Sequence, residues 1–564
     1  MTTRRFFDSI EALRRLDEIE DDDEVIGEME SSGDEVDVLE AQPESEYEES
    51  SDSDVPGPSN APARNVRGSQ RSRRRRAVAG RQRGRTRTTT PSGPQLNWQK
   101  VVNPRVMRQF SERIGVQKRF PPHTTSLDVF SQFITANVIA LIVEMTNLNA
   151  ERKIAASGGS QTWKPTTAEE VKAFLGLIII MGLIRMPQLT MYWQKKNWIF
   201  DWPTPNKIIP RDRFKLLWKY LHFCDESKSP SPQDPLRDRL YKIRPLLELV
   251  EPTLLSVYTP DKYIAIDESM IPFKGRISFR QFIPSKRVRF GIKVWVLAES
   301  KTGYVSKFQI YTGKDPRVQE VGLASRVVYD LIDPFLDKGY HLYVDNFYIS
   351  TELFRKLYEN IVYACGTMRL GRKNFPSEVV LTKRTHTRGD SEWTMAHELL
   401  CQSWLDNRPV YFLSTIHKPD YEPDVPMELR TVKRRGGRGM PSQDMPCPPL
   451  LHDYNNYMGG VDFNDAMRKY YNIGRRSKTW YRRIFFYLIE VALHNSIVVA
   501  KAILPENERK KFVPLEWRKD LVTKLLGDFR TVRVPPRRSS EQLELRLQNV
   551  GLHLPSCESA RFAL

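Results

Sequence analysis

A chain of 564 residues with 40% hydrophobic and 10% aromatic side chains has material for two or three folded units and a sizeable core. A net charge of +18 points to a polyanionic partner, with nucleic acid the first expectation. The five cysteines (Cys224, Cys365, Cys401, Cys447 and Cys557) include no Cys-x-x-Cys pair and are odd in number. That pattern argues against a disulfide scaffold and a compact zinc site, so no zinc is expected and a reducing compartment fits.

Residues 1–60 hold 21 Asp and Glu against 4 Arg, a net of −17, which leaves +35 for the rest of the chain. Residues 61–99 then carry 11 Arg and no acid. Residues 1–103 therefore read as a disordered tail, acidic then Arg-rich, hinged at Pro56–Pro62, with too little apolar surface to offset chain entropy. Arg73, Arg74, Arg75 and Arg76 read as a nuclear-import signal or as an arm along DNA phosphates; the plainer alternative is a solvated charged tail. Met1–Ile10 has no apolar signal core. Phe174–Ile184 is too short to span a bilayer, and Ile484–Leu504 is interrupted by Glu490, His494 and Asn495, so no membrane partner is expected.

Residues 104–258 take a helical pattern. Val129–Met145 and Ala168–Ile184 have helical apolar spacing, and Thr167 is placed to cap the second. Residues 259–370 change period. Tyr263–Ile266 is a short apolar strand, Lys293–Ala298 and Tyr304–Tyr311 form a hairpin around Lys301-Thr302-Gly303, and Asp315-Pro316 opens a helix. Tyr340–Val344 is the next strand, a second helix carries Leu353, Phe354 and Leu357 on one face, and Ile361–Met368 closes the series. The expected architecture is α/β: a mixed five-stranded sheet in the order β-β-β-α-β-α-β.

Asp267 is expected to end the first of these strands and Asp345 the fourth. Two strand-end carboxylates side by side would offer hard oxygen ligands to a divalent cation, as phosphoryl chemistry on DNA with two Mg²⁺ ions requires. A third acid, Asp462, follows Gly459-Gly460 at the start of a helix, with Asp465 on the same face. Taken singly, each aspartate reads as readily as a cap or a surface charge. An insertion, residues 371–450, carries the loop Lys433-Arg434-Arg435-Gly436-Gly437-Arg438, which suits phosphate contacts or is a plain surface loop. Residues 451–471 return to the sheet with Asp462, and 472–528 are again helical. Within Tyr470–Tyr487, Arg475, Arg476, Lys478, Arg482 and Arg483 interleave with aromatics including Trp480, a pattern that neutralises phosphate and stacks on bases; the alternative is an amphipathic helix with a basic solvated face. Lys274 and Arg276 add positive charge just after Asp267. Residues 529–564 form a tail with a single cysteine.

Several segments together resemble the piggyBac family of DNA transposases over about residues 125–525. They are Ala265-Ile266-Asp267-Glu268-Ser269-Met270, Pro272-Phe273-Lys274-Gly275-Arg276, Tyr343-Val344-Asp345-Asn346-Phe347-Tyr348, and Asp453-Tyr454-Asn455 running into Met458-Gly459-Gly460-Val461-Asp462. The resemblance implies a ribonuclease H-like catalytic domain with Asp267, Asp345 and Asp462 holding two Mg²⁺ or Mn²⁺ ions, Asp465 as a supporting acid and Trp480 as a nearby aromatic. It further implies cut-and-paste transposition at TTAA targets, double-stranded DNA (transposon ends and target) as partner, a homodimer on DNA, and a nuclear location. The helical segments would form a dimerisation and DNA-binding domain. The chain departs from the family pattern in its C-terminal tail, which lacks a cysteine-rich zinc module; a host-adopted DNA-binding protein without mobilising activity is the competing expectation.

Overall fold

The computed structural model describes residues 96–529 apart from 159–162, 195–203, 232–233, 235–236, 285, 287, 314–321, 420–430 and 435–441. The arginine run Arg73–Arg76, the Asp315-Pro316 helix start, Arg435 and Cys557 lie outside the described residues.

A mixed sheet forms the centre. Its strands are β1 (Tyr263–Pro272), β2 (Gln281–Phe282), β3 (Phe290–Glu299), β4 (Val305–Ile310), β5 (His341–Val344), β6 (Tyr363–Met368), β7 (Ser391–Ala396), β8 (Leu399–Leu405) and β9 (Pro409–Ser414). Their order is β2-β3-β1-β5-β6-β9-β8-β7, with β4 also paired to β3. The β1–β5 and β5–β6 pairs are parallel and the rest antiparallel. The sheet thus has nine strands where the sequence suggested five. The short β2 is one of the additions and the insertion supplies the other three: β9 pairs with β6, so β7–β9 continue the central sheet and cover what would have been its open edge.

The helices are α1 (Ser126–Phe130), α2 (Ala136–Ala156), α3 (Ala168–Leu183), α4 (Arg211–Tyr220), α5 (Arg244–Val257), α6 (Leu323–Ile332), α7 (Thr351–Glu359), α8 (Pro449–Tyr457), α9 (Gly460–Tyr470), α10 (Trp480–Ile503) and α11 (Pro514–Leu526). Thr167 caps α3 by accepting from the Glu170 amide. The apolar run 129–145 is divided between α1 and α2, because Thr135 caps a new helix by accepting from the Val138 amide. Helices α1–α5 share one apolar cluster with α10 and α11 and with Val294, Val296 and Ala298 of β3, so segments from both ends of the chain build one helical layer on the sheet. The opposite face is covered by α6 and α7, packed on Ile264, Ile266, Leu342 and Val344.

The polar residues inside α10 have structural partners. Asn495 accepts from the Val305 amide and donates to the Val305 carbonyl (3.0 and 2.9 Å), mimicking a neighbouring strand along β4, while His494 lies 2.8 Å from the Thr302 carbonyl. Among the described residues α10 is the one helix long and apolar enough to cross a membrane, and most of it is buried inside the fold.

Residues 96–103, read as part of a disordered tail, are packed. Gln99 exchanges two backbone hydrogen bonds of 2.8 Å with Met395, and the Trp98 indole donates to the Asn374 carbonyl at 3.1 Å. Leu96 and Trp98, the first large apolar side chains after the arginine block, pack against the cluster under α6 and α7. Beyond them the chain straps the sheet, with the Arg108 amide donating to Tyr363 at 2.6 Å and Ser111 to the Lys338 carbonyl at 3.3 Å.

Candidate active site

The pleat of β1 and β5 orients the two strand-borne aspartates. Ala265 is registered against Tyr343, and Ile266 against Val344. Ile266 and Val344 enter the cluster under α6 and α7, whereas Ala265 and Tyr343 enter the cluster under α8. With side chains alternating every residue, Asp267 and Asp345 follow Ala265 and Tyr343 onto the second face, one step beyond the last parallel pair. Asp345 directly follows β5, in extended backbone. Asp267 does not end its strand. β1 continues antiparallel to β3 as far as Pro272, so Asp267 is mid-strand, at the point where its parallel neighbour stops.

Asp462 arrives on the first turn of α9. Two glycines let that helix dock closely. A Cβ on Gly460 would stand 2.8 Å from the Glu299 carbonyl oxygen. Gly303, with φ +66°, makes the turn between β3 and β4, and a Cβ there would meet the Asn464 amide at 2.9 Å. Asn464 Nδ2 donates to the Gly303 carbonyl at 3.0 Å and fixes the contact.

The charges divide into two groups. Burial first, then Glu268 and Asp462, push the Asp267 carboxyl well above the ordinary carboxylate range, to about 8. Burial also raises Asp462, with Asp465 adding to it and Lys286 opposing. Lys286 lies 3.6 Å from Glu268, and the fields of Asp267, Glu268, Asp462 and Asp465 overcome its own desolvation and hold its ammonium protonated. Asp345 accepts from the Thr367 hydroxyl at 3.2 Å. Tyr454 and Tyr348, both raised first by burial, lie in the combined field of Asp345 and Asp267.

Asp465 is differently placed. Burial would lift it, but Arg468, Lys469 and Ser269 outweigh burial and hold it below the usual range. The Ser269 hydroxyl donates to Asp465 at 2.6 Å, and the Arg468 guanidinium pairs with the same oxygen. Arg468 also donates to Ser269 (2.9 Å), Asn464 (2.8 Å) and Glu490 of α10 (3.4 Å), and stacks 4.5 Å over the Tyr487 ring. Ser269 is two residues beyond Asp267 on the same strand face, so this network ties the helix carrying Asp462 to the strand carrying Asp267. Sequence reading missed Ser269, Arg468 and Glu490 in this role. The available signals were the i,i+3 spacing of Asp465 and Arg468 and a lone glutamate in an apolar helix.

The acids fit divalent cations in donor chemistry: hard carboxylate oxygens on one sheet face, with Asp267 and Asp345 half-buried and Asp462 exposed on its helix turn. As the side chains stand, no three histidine, cysteine, aspartate or glutamate groups among the described residues converge closely enough to hold a metal ion. Thr367 engages Asp345, Arg468 engages Asp465, and Lys286 supplies positive charge among the others.

The basic residues proposed to touch DNA separate by exposure. Arg482 and Arg483 are buried: Arg482 donates to the Lys219 carbonyl at 2.7 Å, and Arg483 to the carbonyls of Pro272 and Arg475 at 3.0 and 2.6 Å. Arg475 bonds the Tyr192 hydroxyl at 2.7 Å and stacks over its ring. The guanidiniums of Arg482 and Arg483 hold the start of α10 against its neighbours, buried on backbone carbonyls at strand and helix ends, which corrects their assignment as phosphate contacts, while Arg475 is half-buried against Tyr192. Arg476, Lys478, Lys433, Lys274 and Arg276 are exposed. Trp480 is half-buried with its ring edge-on to Phe279 at 5.6 Å, and Arg434 pairs with Asp406 at 3.1 Å.

A family model described as Transposase IS4 matches residues 125–497. The human PiggyBac transposable element-derived protein 3 is 29% identical over 409 residues, covering 71% of this chain and 64% of that protein. The chain thus spans just under two thirds of that relative's length. The human PiggyBac transposable element-derived protein 5 is 23% identical over 447 residues, 76% of this chain and 81% of the relative. A cryo-EM structure of the piggyBac transposase synaptic complex with hairpin DNA superposes with a TM-score of 0.66 at 22% identity, over 80% of this chain and 90% of that one, and shares the fold.

Proposed function

The chain belongs to the transposase family in its piggyBac branch, and from that premise we propose that it is a metal-dependent DNA strand-cleaving and strand-transferring enzyme of the cut-and-paste type, acting at TTAA. The observation that carries this reading is the placement of Asp267 and Asp345 on one face of adjacent parallel strands, with Asp462 brought to the same face by a docked helix. On this reading the sheet is ribonuclease H-like, and Asp267, Asp345 and Asp462 hold two Mg²⁺ or Mn²⁺ ions. Bound there, such ions would activate the attacking oxygen and stabilise the leaving one.

The protein's own groups then have separable tasks. Arg468 positions Asp462 by fixing α9 through Asp465 and Ser269. Thr367 orients the Asp345 carboxylate. Exposed Lys274, Arg276, Arg476, Lys478 and Lys433 would meet phosphates and set the strand's path. Arg73–Arg76 suit import into the nucleus, where the substrate is found, and a homodimer on DNA would supply the second transposon end.

The test incubates purified full-length protein and Mg²⁺ or Mn²⁺ with duplexes carrying the repeats and TTAA that flank its gene, beside Asp345→Asn. Nicking and strand transfer by the wild type and none by the variant are expected; equal products from both would remove the acids from the chemistry. A second reading, a host-adopted DNA-binding protein, is favoured by the names of the human relatives, which are element-derived proteins. DNA binding without cleavage in the same assay would select it.

A further inference from the structure

Between Pro272 and Phe290 the chain has six Lys and Arg residues and no acid. The described residues of this segment form a hairpin, β2 against β3, whose two ends differ in chemistry. Near its apex, Lys286 reaches to 3.6 Å from Glu268, beside Asp267. The loop is held by the Ile283 amide donating to the Arg289 carbonyl at 2.9 Å and the Lys286 amide to the Ile283 carbonyl at 3.2 Å. At its base Phe282 pairs with Phe290 across β2 and β3. Their rings are 4.6 Å apart, tilted by 33°, and are 54% and 40% exposed. Among the described residues these are the exposed phenylalanines, and they touch each other. The Arg280 guanidinium lies 5.5 Å over the Phe290 ring while donating to the carbonyls of Lys274 and Gly275 at 3.1 and 3.0 Å.

We propose that the Phe282–Phe290 pair is a stacking platform for an unpaired base of the DNA strand whose phosphates approach the acid centre. This inference rests on the transposase reading and names the conformation of DNA that the site takes. Three features select a base as occupant. The surround is cationic without a single acid from Pro272 to Phe290, so the occupant carries negative charge. The platform is an exposed pair of aromatic rings, which suits a π-face in preference to an aliphatic side chain. The same short hairpin carries both the ring pair and Lys286, which reaches Glu268 beside Asp267, so a strand lying along it meets both. Bases in a duplex hide their faces in the stack, so the pair distinguishes unpaired from paired DNA.

The test measures fluorescence anisotropy of full-length protein on two labelled duplexes of one sequence, one fully paired and one with a short single-stranded gap. A 2-aminopurine placed in the gap reports stacking directly. The wild type should prefer the gapped probe by about tenfold and quench the 2-aminopurine. Phe282→Leu/Phe290→Leu, apolar but not aromatic, should lose both the preference and the quench, and Phe282→Tyr/Phe290→Tyr should keep them. Should the double leucine variant melt early, Phe282→Leu alone, the more exposed side chain, carries the test. Wild type binding both probes equally, or leucine variants that retain the quench, overturns the inference and leaves the transposase reading in place. A change of oligomeric state in the leucine variants with base preference intact also overturns it, because the pair would then be a contact between copies. Wild type binding neither probe removes the transposase reading and this inference together.

Discussion

Two sets of acids stand side by side on β1, α9 and α10, and the protein treats them in opposite ways. Asp465 and Glu490 share Arg468, a guanidinium that bonds Asp465, Ser269, Asn464 and Glu490. Asp267 and Asp462 have Lys286 nearby, with Lys469 also facing Asp462, and both are still pushed up in pKa. Burial costs both sets the same kind of desolvation. In one the charge is neutralised permanently, and the result is a joint between strand and helix. In the other it is left under-neutralised, which is the condition under which a divalent cation or a proton is strongly attracted. The comparison teaches that the first set buys rigidity for the second.

The strongest way to break the comparison is to remove its permanent cation. Arg468→Met should cost about 3–5 kcal/mol, because it takes the guanidinium from two largely buried carboxylates and leaves them weaker donors such as Ser269 and the Ile473 amide. Arg468 and both of its carboxylate partners are nearly closed to solvent, so little screening is available. Urea unfolding of the variant beside wild type measures it, and a loss below about 1 kcal/mol would mean that the network is ornamental.

Much of this arrangement was legible in the sequence, and the failures share a physical reason. The apolar strand at Tyr263–Ile266, the hairpin about Gly303 and the Thr167 cap are local signals, set by period and turn chemistry, and each has its counterpart in the structure. Asp267 was placed at a strand end because the apolar run stops there. The strand continues because the pairing of β1 with β3 extends to Pro272, and a pairing partner distant in sequence leaves no local mark. The extra strands β7–β9 escaped for the same cause: a charged, Pro-containing stretch gives no sign that it will extend a sheet begun more than a hundred residues earlier. Arg482 and Arg483 show the converse error. Charge alone suggested phosphate, whereas burial assigned them to carbonyls. Asp345 and Asp462 were suggested by position and motif, but the geometry between them depends on Gly460 and Gly303, whose close approach no spacing rule gives.

The under-neutralised set predicts an unusual pH response in metal-free protein. A carboxyl whose folded pKa is raised keeps its proton to higher pH than in the unfolded chain. The folded state therefore binds more protons between about pH 4 and about pH 8, and stability falls as pH rises through that window. Asp267→Asn removes the titration. The variant should be more stable than wild type near the upper end, by on the order of 2 kcal/mol, with the gap closing toward the lower end. Thermal melts in chelator across that range decide it. Wild type and variant curves that run parallel would show that Asp267 is neutralised by something other than a proton, and adding Mn²⁺ to wild type should flatten its slope.

The gentlest perturbation replaces the cation that Asp267 and Asp462 share. Lys286 is held protonated by four surrounding acids and is about one third exposed, so its charge is only partly screened. A metal ion entering among Asp267, Asp345 and Asp462 meets that charge as repulsion, and Lys286→Met removes it. The variant should bind Mn²⁺ about tenfold more tightly by calorimetry, a factor expected for one like charge a few ångströms away at a partly solvated site. If Lys286 instead served mainly to hold the acids in place, the same change would weaken binding, since Asp267 and Glu268 would separate without it. The sign of the change therefore decides whether this lysine competes with a cation or organises its ligands. Tighter binding would also show that the acids converge on a metal even though, with Lys286 among them, they stand apart.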